Sequence, residues 1–94
     1  MSAPLIYRLQ WDGIGVTVRH CPDQWNIIDH IEVMSDNRVP LPITETGYRS
    51  HFLNKALIEP YGDAAAFVLA WLEEEARSAE WQTYKLGSQQ LSLF

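Results

Sequence analysis

The sequence predicts an α+β fold: an antiparallel meander of about four strands, with one long C-terminal helix packed on one face. Three observations carry that prediction. Residues Leu5 to His20 alternate apolar and polar side chains around Asp12-Gly13. Residues Asp63 to Tyr84 repeat apolar side chains at helical spacing. Every strand-like segment precedes the helix, which excludes a parallel sheet with interleaved helices.

The first hairpin has the strongest local signal. Leu5, Tyr7, Leu9 and Trp11 share one face, with Arg8 and Gln10 on the other. Ile14, Val16 and Val18 then alternate with Thr17 and Arg19. Asp-Gly is a two-residue turn signal, because both central residues of that turn need positive φ. It pairs Trp11 with Ile14, Leu9 with Val16 and Tyr7 with Val18, so all apolar pairs fall on one face. Leu9, Val16 and Val18 are therefore expected deep in the core.

His20 to Gln24 breaks the alternation and reads as a loop. Ile27 to Met34 reads as the third strand, with Ile31 and Val33 inward and His30 and Glu32 outward. Ser35 to Arg38 is a turn. Val39-Pro40-Leu41-Pro42-Ile43 alternates apolar residues with prolines. Proline has no amide hydrogen, so this segment is expected to be an edge strand paired on one side only. Thr44 to Tyr61 shows no clean period and reads as a long loop.

The helix is expected to start with Asp63 as its N-cap and to end near Tyr84. Its apolar stripe is Ala65, Val68, Leu69, Leu72, Ala76 and Ala79, widened by Phe67 and Trp71. Glu73 and Arg77 stand four apart as an outward pair. Gly87 is the expected stop and hinge. This divides the chain into one domain, residues 1–84, and a flexible C-terminal tail, residues 85–94.

Composition bounds the function. The 94 residues are 47% hydrophobic, enough for one small core. No segment approaches the apolar length of a membrane span. Met1-Ser2-Ala3-Pro4 carries no basic segment followed by an apolar run, so no secretory signal is expected. Cys21 is the one cysteine, which excludes an intramolecular disulfide and fits a cytoplasmic protein. The formal net charge is −5 with seven Lys and Arg, so direct binding to nucleic acid is not favoured. A protein that itself handles DNA remains a compatible partner.

The tail ends in Gln90-Leu91-Ser92-Leu93-Phe94. These five residues resemble the pentapeptide with which bacterial DNA polymerases and repair proteins insert into the DNA sliding clamp. All five positions match, and a chance match is on the order of one in several hundred thousand per starting position. The resemblance implies that Leu93 and Phe94 fill an apolar pocket on the clamp. It implies further that Leu91 packs at the rim, Gln90 hydrogen-bonds the clamp surface and Ser92 acts as a spacer. Two adjacent large apolar side chains make an anchor on general grounds as well. The simpler reading is that Leu91, Leu93 and Phe94 fold back on their own domain as an added strand.

A second group is Thr46-Gly47-Tyr48-Arg49-Ser50-His51. Hydroxyls, a guanidinium and an imidazole together suit a small polar or anionic ligand, with Tyr48, Arg49 and His51 as its binding residues. The simpler reading pairs Arg49 with Glu45 or Glu75 and leaves His51 as a satisfied polar residue. Pro40 to Phe52 also resembles small bacterial proteins of no assigned activity, so this second resemblance implies no function. His20, Cys21, His30 and His51 are the candidate metal ligands, but adjacent His20-Cys21 lacks the usual zinc-pair spacing, and no metal or cofactor is expected. Cys21 with His51 lacks an orienting third group for nucleophilic catalysis. Glu73-Glu74-Glu75 reads as a solvated helix face.

Together these point to a non-catalytic accessory protein, monomeric or weakly self-associating, that docks on the sliding clamp. Two alternatives belong to other classes. One is a small-ligand protein or enzyme using Tyr48, Arg49 and His51. The other is an oligomerising module whose tail exchanges with a neighbouring subunit.

Overall fold

Four strands form one antiparallel sheet in chain order: β1 (Leu5–Trp11), β2 (Ile14–Cys21), β3 (Ile28–Ser35) and β4 (Tyr48–Asn54). Two helices follow, α1 (Ala64–Glu75) and α2 (Ala79–Leu91). The structure is a computed structural model and describes residues 4–22 and 27–91. No helix of the described residues is long and apolar enough to cross a membrane.

The first hairpin has the register its turn demands. Trp11 pairs with Ile14, Leu9 with Val16 and Tyr7 with Val18. Asp12 and Gly13 both take positive φ, 51° and 78°, as a type I′ turn requires. The inward row continues across the sheet, because Val18 pairs with Val33 and His20 with Ile31. Val16, Val18, Ile31 and Val33 are fully buried.

Helix α1 covers this face. Asp63 is its N-cap, and the carboxylate accepts from the Ala66 amide at 2.8 Å. The fully buried row is Ala64, Val68 and Leu72, spaced four apart, with Phe67 and Trp71 packed on its flank. The expected stripe was therefore rotated: Leu69 is 39% exposed and Ala79 is exposed. Leu9 is half-buried rather than buried, because β1 is an outer strand of the sheet.

Val39 to Ile43 does not form the expected edge strand. The Leu41 amide donates to the Thr44 carbonyl at 2.8 Å and the Thr44 amide returns a bond to Leu41 at 3.0 Å. That closes a tight turn with Pro42 at its second position, where a fixed φ near −65° is favourable. Two prolines two residues apart could not feed a ladder, so Leu41 and Ile43 reach the core from a turn instead. The fourth strand comes from Tyr48–Asn54, inside the segment read as a loop.

The single long helix is in fact two. α1 closes at Ala76, and the Arg77 and Ser78 amides bond back to Glu74 and Glu75 at 3.2 and 3.1 Å. Ser78 then starts α2: its hydroxyl accepts from the Trp81 amide at 3.1 Å. The Gln82 side chain donates to the Ala76 carbonyl at 2.7 Å and so closes the end of α1. A serine that bonds a nearby backbone amide favours a helix start over a helix interior. At the other end, α2 passes Tyr84 and Gly87 and continues to Leu91. Gly87 is a helix-interior residue here, at a cost of about 1 kcal/mol relative to alanine.

Candidate functional site

Strand alternation decides what the 46–51 segment can do. Tyr48, Arg49, Ser50 and His51 lie on β4, so successive side chains point to opposite faces. Arg49 and His51 face α1, opposite Val33 and Ile31 of β3. Tyr48 faces away, beside Met34. The three residues therefore do not converge on one ligand.

On the helix side, Trp71 of α1 lies against both polar residues. The Arg49 guanidinium carbon is 5.4 Å from the Trp71 ring centroid, and the His51 ring is 4.8 Å from it. Arg49 Nη1 donates to the Ile43 carbonyl at 2.9 Å, which fastens the Pro42 turn to β4. This replaces the expected pairing with Glu45 or Glu75. Burial, and secondarily the charge of Arg49, push the His51 imidazole below its ordinary value of 6.5. The group acts as a brace between the edge strand and the helix.

Neither α1 nor the described part of α2 covers the opposite face of the sheet, where a polar network reaches the short 3-10 turn Asp36–Arg38. Tyr48 Oη donates to Glu32 Oε2 at 2.6 Å, and Arg19 Nη1 donates to Glu32 Oε1 at 2.7 Å. These two bonds, the tyrosine's first, hold the Glu32 carboxyl below the usual carboxylate range, and the bond to Glu32, with burial second, raises the Tyr48 phenol. The Arg38 guanidinium carbon stands 5.5 Å from the Tyr48 ring centroid. Arg8 makes a two-pronged bond to Asp36, both arms at 2.9 Å. His30 bonds Ser50 at 2.6 Å and stacks on Phe52 at 4.3 Å between centroids. Phe52 is 67% exposed. Aromatic, arginine and apolar side chains of this kind recur at protein interfaces. Arg8 and Arg19 are matched by carboxylates, which makes the face a poor grip for phosphates.

The candidate metal ligands are divided by the same alternation. His20 faces inward and bonds the buried Asp29 at 2.9 Å, with the Lys55 ammonium 3.9 Å from the other Asp29 oxygen. His51 is inward against Trp71, while Cys21 and His30 face the opposite side of the sheet. Among the described residues, no three His, Cys, Asp or Glu side chains gather as a metal site would need. The expected Glu73–Arg77 pair is not made either. Arg77 instead meets Glu74 at 3.5 Å, and Glu73 accepts from the Trp11 indole.

Helix α2 reaches the first two residues of the pentapeptide, Gln90 and Leu91. Its one buried side chain among those described is Trp81, which lies 5.8 Å from the Trp11 ring and 5.1 Å from the Tyr84 ring. Lys85 adds an ion pair to Asp12 at 3.1 Å. Beyond it Leu86 is 61% exposed and Gly87 is exposed. Gln90 and Leu91 stand at the end of α2, and Ser92, Leu93 and Phe94 lie outside the described residues. Reading a single helix hid the role of Ser78 and Trp81. The usable signal was Ser78 itself, a good N-cap type set between two helical runs.

The family model of the KlcB third domain matches residues 5–81, which include all four strands and α1. No curated protein and no solved structure matches the chain. The chain belongs to the KlcB third-domain family.

Proposed function

We propose that this member of the KlcB third-domain family is a non-catalytic interaction protein that docks on the bacterial DNA sliding clamp through Gln90-Leu91-Ser92-Leu93-Phe94. The observation that supports this reading is the course of α2. Its last tie to the sheet among the described side chains is the Lys85–Asp12 ion pair. The helix then runs on to Leu91 with Leu86 and Gly87 exposed. The buried core residues among those described lie between Trp11 and Trp81 in the chain, ahead of the pentapeptide. Leu93 and Phe94 serve as the anchors and Gln90 as the orienting amide. Held this way, the domain acts in replication or repair as a tether to the clamp or as a competitor for it.

The test uses the full chain, a chain lacking Leu93 and Phe94, and Gln90→Ala, each titrated against a purified bacterial clamp. Loss of the two anchors should weaken binding at least tenfold, which is about 1.4 kcal/mol. Urea unfolding should change far less than the roughly 2–5 kcal/mol of a core truncation. An intact chain that does not bind at high micromolar concentration ends the reading. So does a deletion that unfolds the domain, since the residues would then belong to its core.

A further inference from the structure

A cleft of about 230 Å³ lies between the turn at Pro40–Glu45 and the first turns of α2. It stands on the helix side of the molecule. Trp81 and Tyr84 are among its lining residues, and their rings stack on each other at 5.1 Å and 30°. Tyr84 is 43% exposed, so its ring is open to a visitor. Glu45 contributes a carboxylate from the turn and Glu80 another from α2. Neither makes an ion pair among the described residues, whereas Asp12, Asp36, Glu32 and Glu74 all do.

The two charged side chains lining this cleft, Glu45 and Glu80, are both carboxylates, and the hydroxyls of Ser78 and Tyr84 beside them are neutral. Pro40 and Pro42 have no amide hydrogen. The Leu41 amide between them is committed to the Thr44 carbonyl at 2.8 Å. An anion would meet two carboxylates and no cationic side chain among the described lining residues. A planar cation would meet two carboxylates beside the half-exposed Tyr84 ring, which is the environment in which a guanidinium stacks and hydrogen-bonds together. The volume is below the roughly 300–1,000 Å³ of pockets for drug-sized ligands. It suits one long side chain and is too small for a nucleotide.

We propose that this cleft binds an arginine side chain presented by a partner polypeptide. The guanidinium lies against the exposed Tyr84 ring, which Trp81 backs, and donates to Glu45 and Glu80. Its occupant joins the turn that follows β3 to the base of α2, and so makes a second contact surface independent of the clamp reading.

The probe is a capped Ala-Arg-Ala peptide, followed by the Trp81 indole and Tyr84 amide resonances of the full chain. Saturable shifts at both are expected. The neutral citrulline isostere should bind at least tenfold more weakly, and the lysine peptide should also be weaker because an ammonium cannot stack. Glu45→Gln with Glu80→Gln should weaken the arginine peptide at least tenfold while distant resonances stay in place. Tyr84→Ala, at an exposed position, gives an independent second variant with the same expected loss. The proposal is overturned if the arginine peptide causes no saturable shift, if citrulline binds equally, or if the variants bind like the parent. Methylguanidinium binding as tightly as the peptide would assign the cleft to a small molecule and overturn the polypeptide partner.

Discussion

Trp11 and Glu73 are 62 residues apart in the chain, and the Trp11 indole Nε1 donates to Glu73 Oε1 at 3.0 Å. The bond ties the last residue of β1 to α1 and gives a buried indole its polar partner. Glu73→Ala should therefore cost about 1 kcal/mol in urea unfolding, the usual net value of such a bond. Glu74→Ala is the matched control. Its pair with Arg77 is fully solvated, so its loss should be close to neutral.

Leu72 is fully buried in the row that α1 lays across the sheet. Leu72→Ala should destabilise by roughly 2–5 kcal/mol, depending on how far the cavity collapses. Leu69→Ala, three residues away on the exposed side, should cost far less. Equal losses at the two positions would contradict this placement of the helix.

Gly47 has a φ of 75°, and a Cβ there would lie 2.5 Å from the Arg38 carbonyl carbon. Gly13 has a similar φ of 78° with nothing within 4 Å of its would-be Cβ. Gly13→Ala should show the backbone strain alone, about 1–2 kcal/mol. Gly47→Ala should cost clearly more, because backbone must also move. Denaturation midpoints of the two variants, measured side by side, check the difference.

His51 should titrate below 6.5 in the folded protein, because burial against Trp71 favours the neutral ring. The unfolded chain takes up its proton first as pH falls. This contribution to stability is therefore full above the unfolded midpoint and is lost as pH drops through the lowered folded value. An NMR titration of the ring protons reads it directly. Trp71→Ala should move the midpoint up toward 6.5, and Arg49→Gln should move it up by less.

The hairpin was legible because turn chemistry and side-chain pattern agreed at Trp11, Leu9 and Val16. β4 was not, because its polarity is inverted. Arg49 and His51 point toward the helix, and Phe52 points to solvent. An aromatic brace can hold polar side chains at the core's edge, and a period-two hydrophobic pattern does not register that. Reading Tyr48 to His51 as a loop then gathered three residues that a strand separates. The helix break failed for a different reason. The helical period persists across Ala76 to Ala79, and only the competing bond from Ser78 to the Trp81 amide ends it. Pro40 and Pro42 cannot donate, and that property serves a turn closed by Leu41 and Thr44 rather than a strand edge.

The joint at Ser78 also separates two timescales. α2 has its own cap, and one buried side chain, Trp81, among those described. Among the described residues, the ties it would break on lifting from the sheet are the Trp81 core contacts, the Lys85–Asp12 ion pair and the Gln82 bond to Ala76, none of them a rung of α1. Amides of α2 should then exchange with solvent through local opening, while those around Val68 and Leu72 wait for global unfolding. The protein is in this sense a slow-exchanging body with a fast-exchanging arm, and a binding event on the arm need not be felt in the sheet.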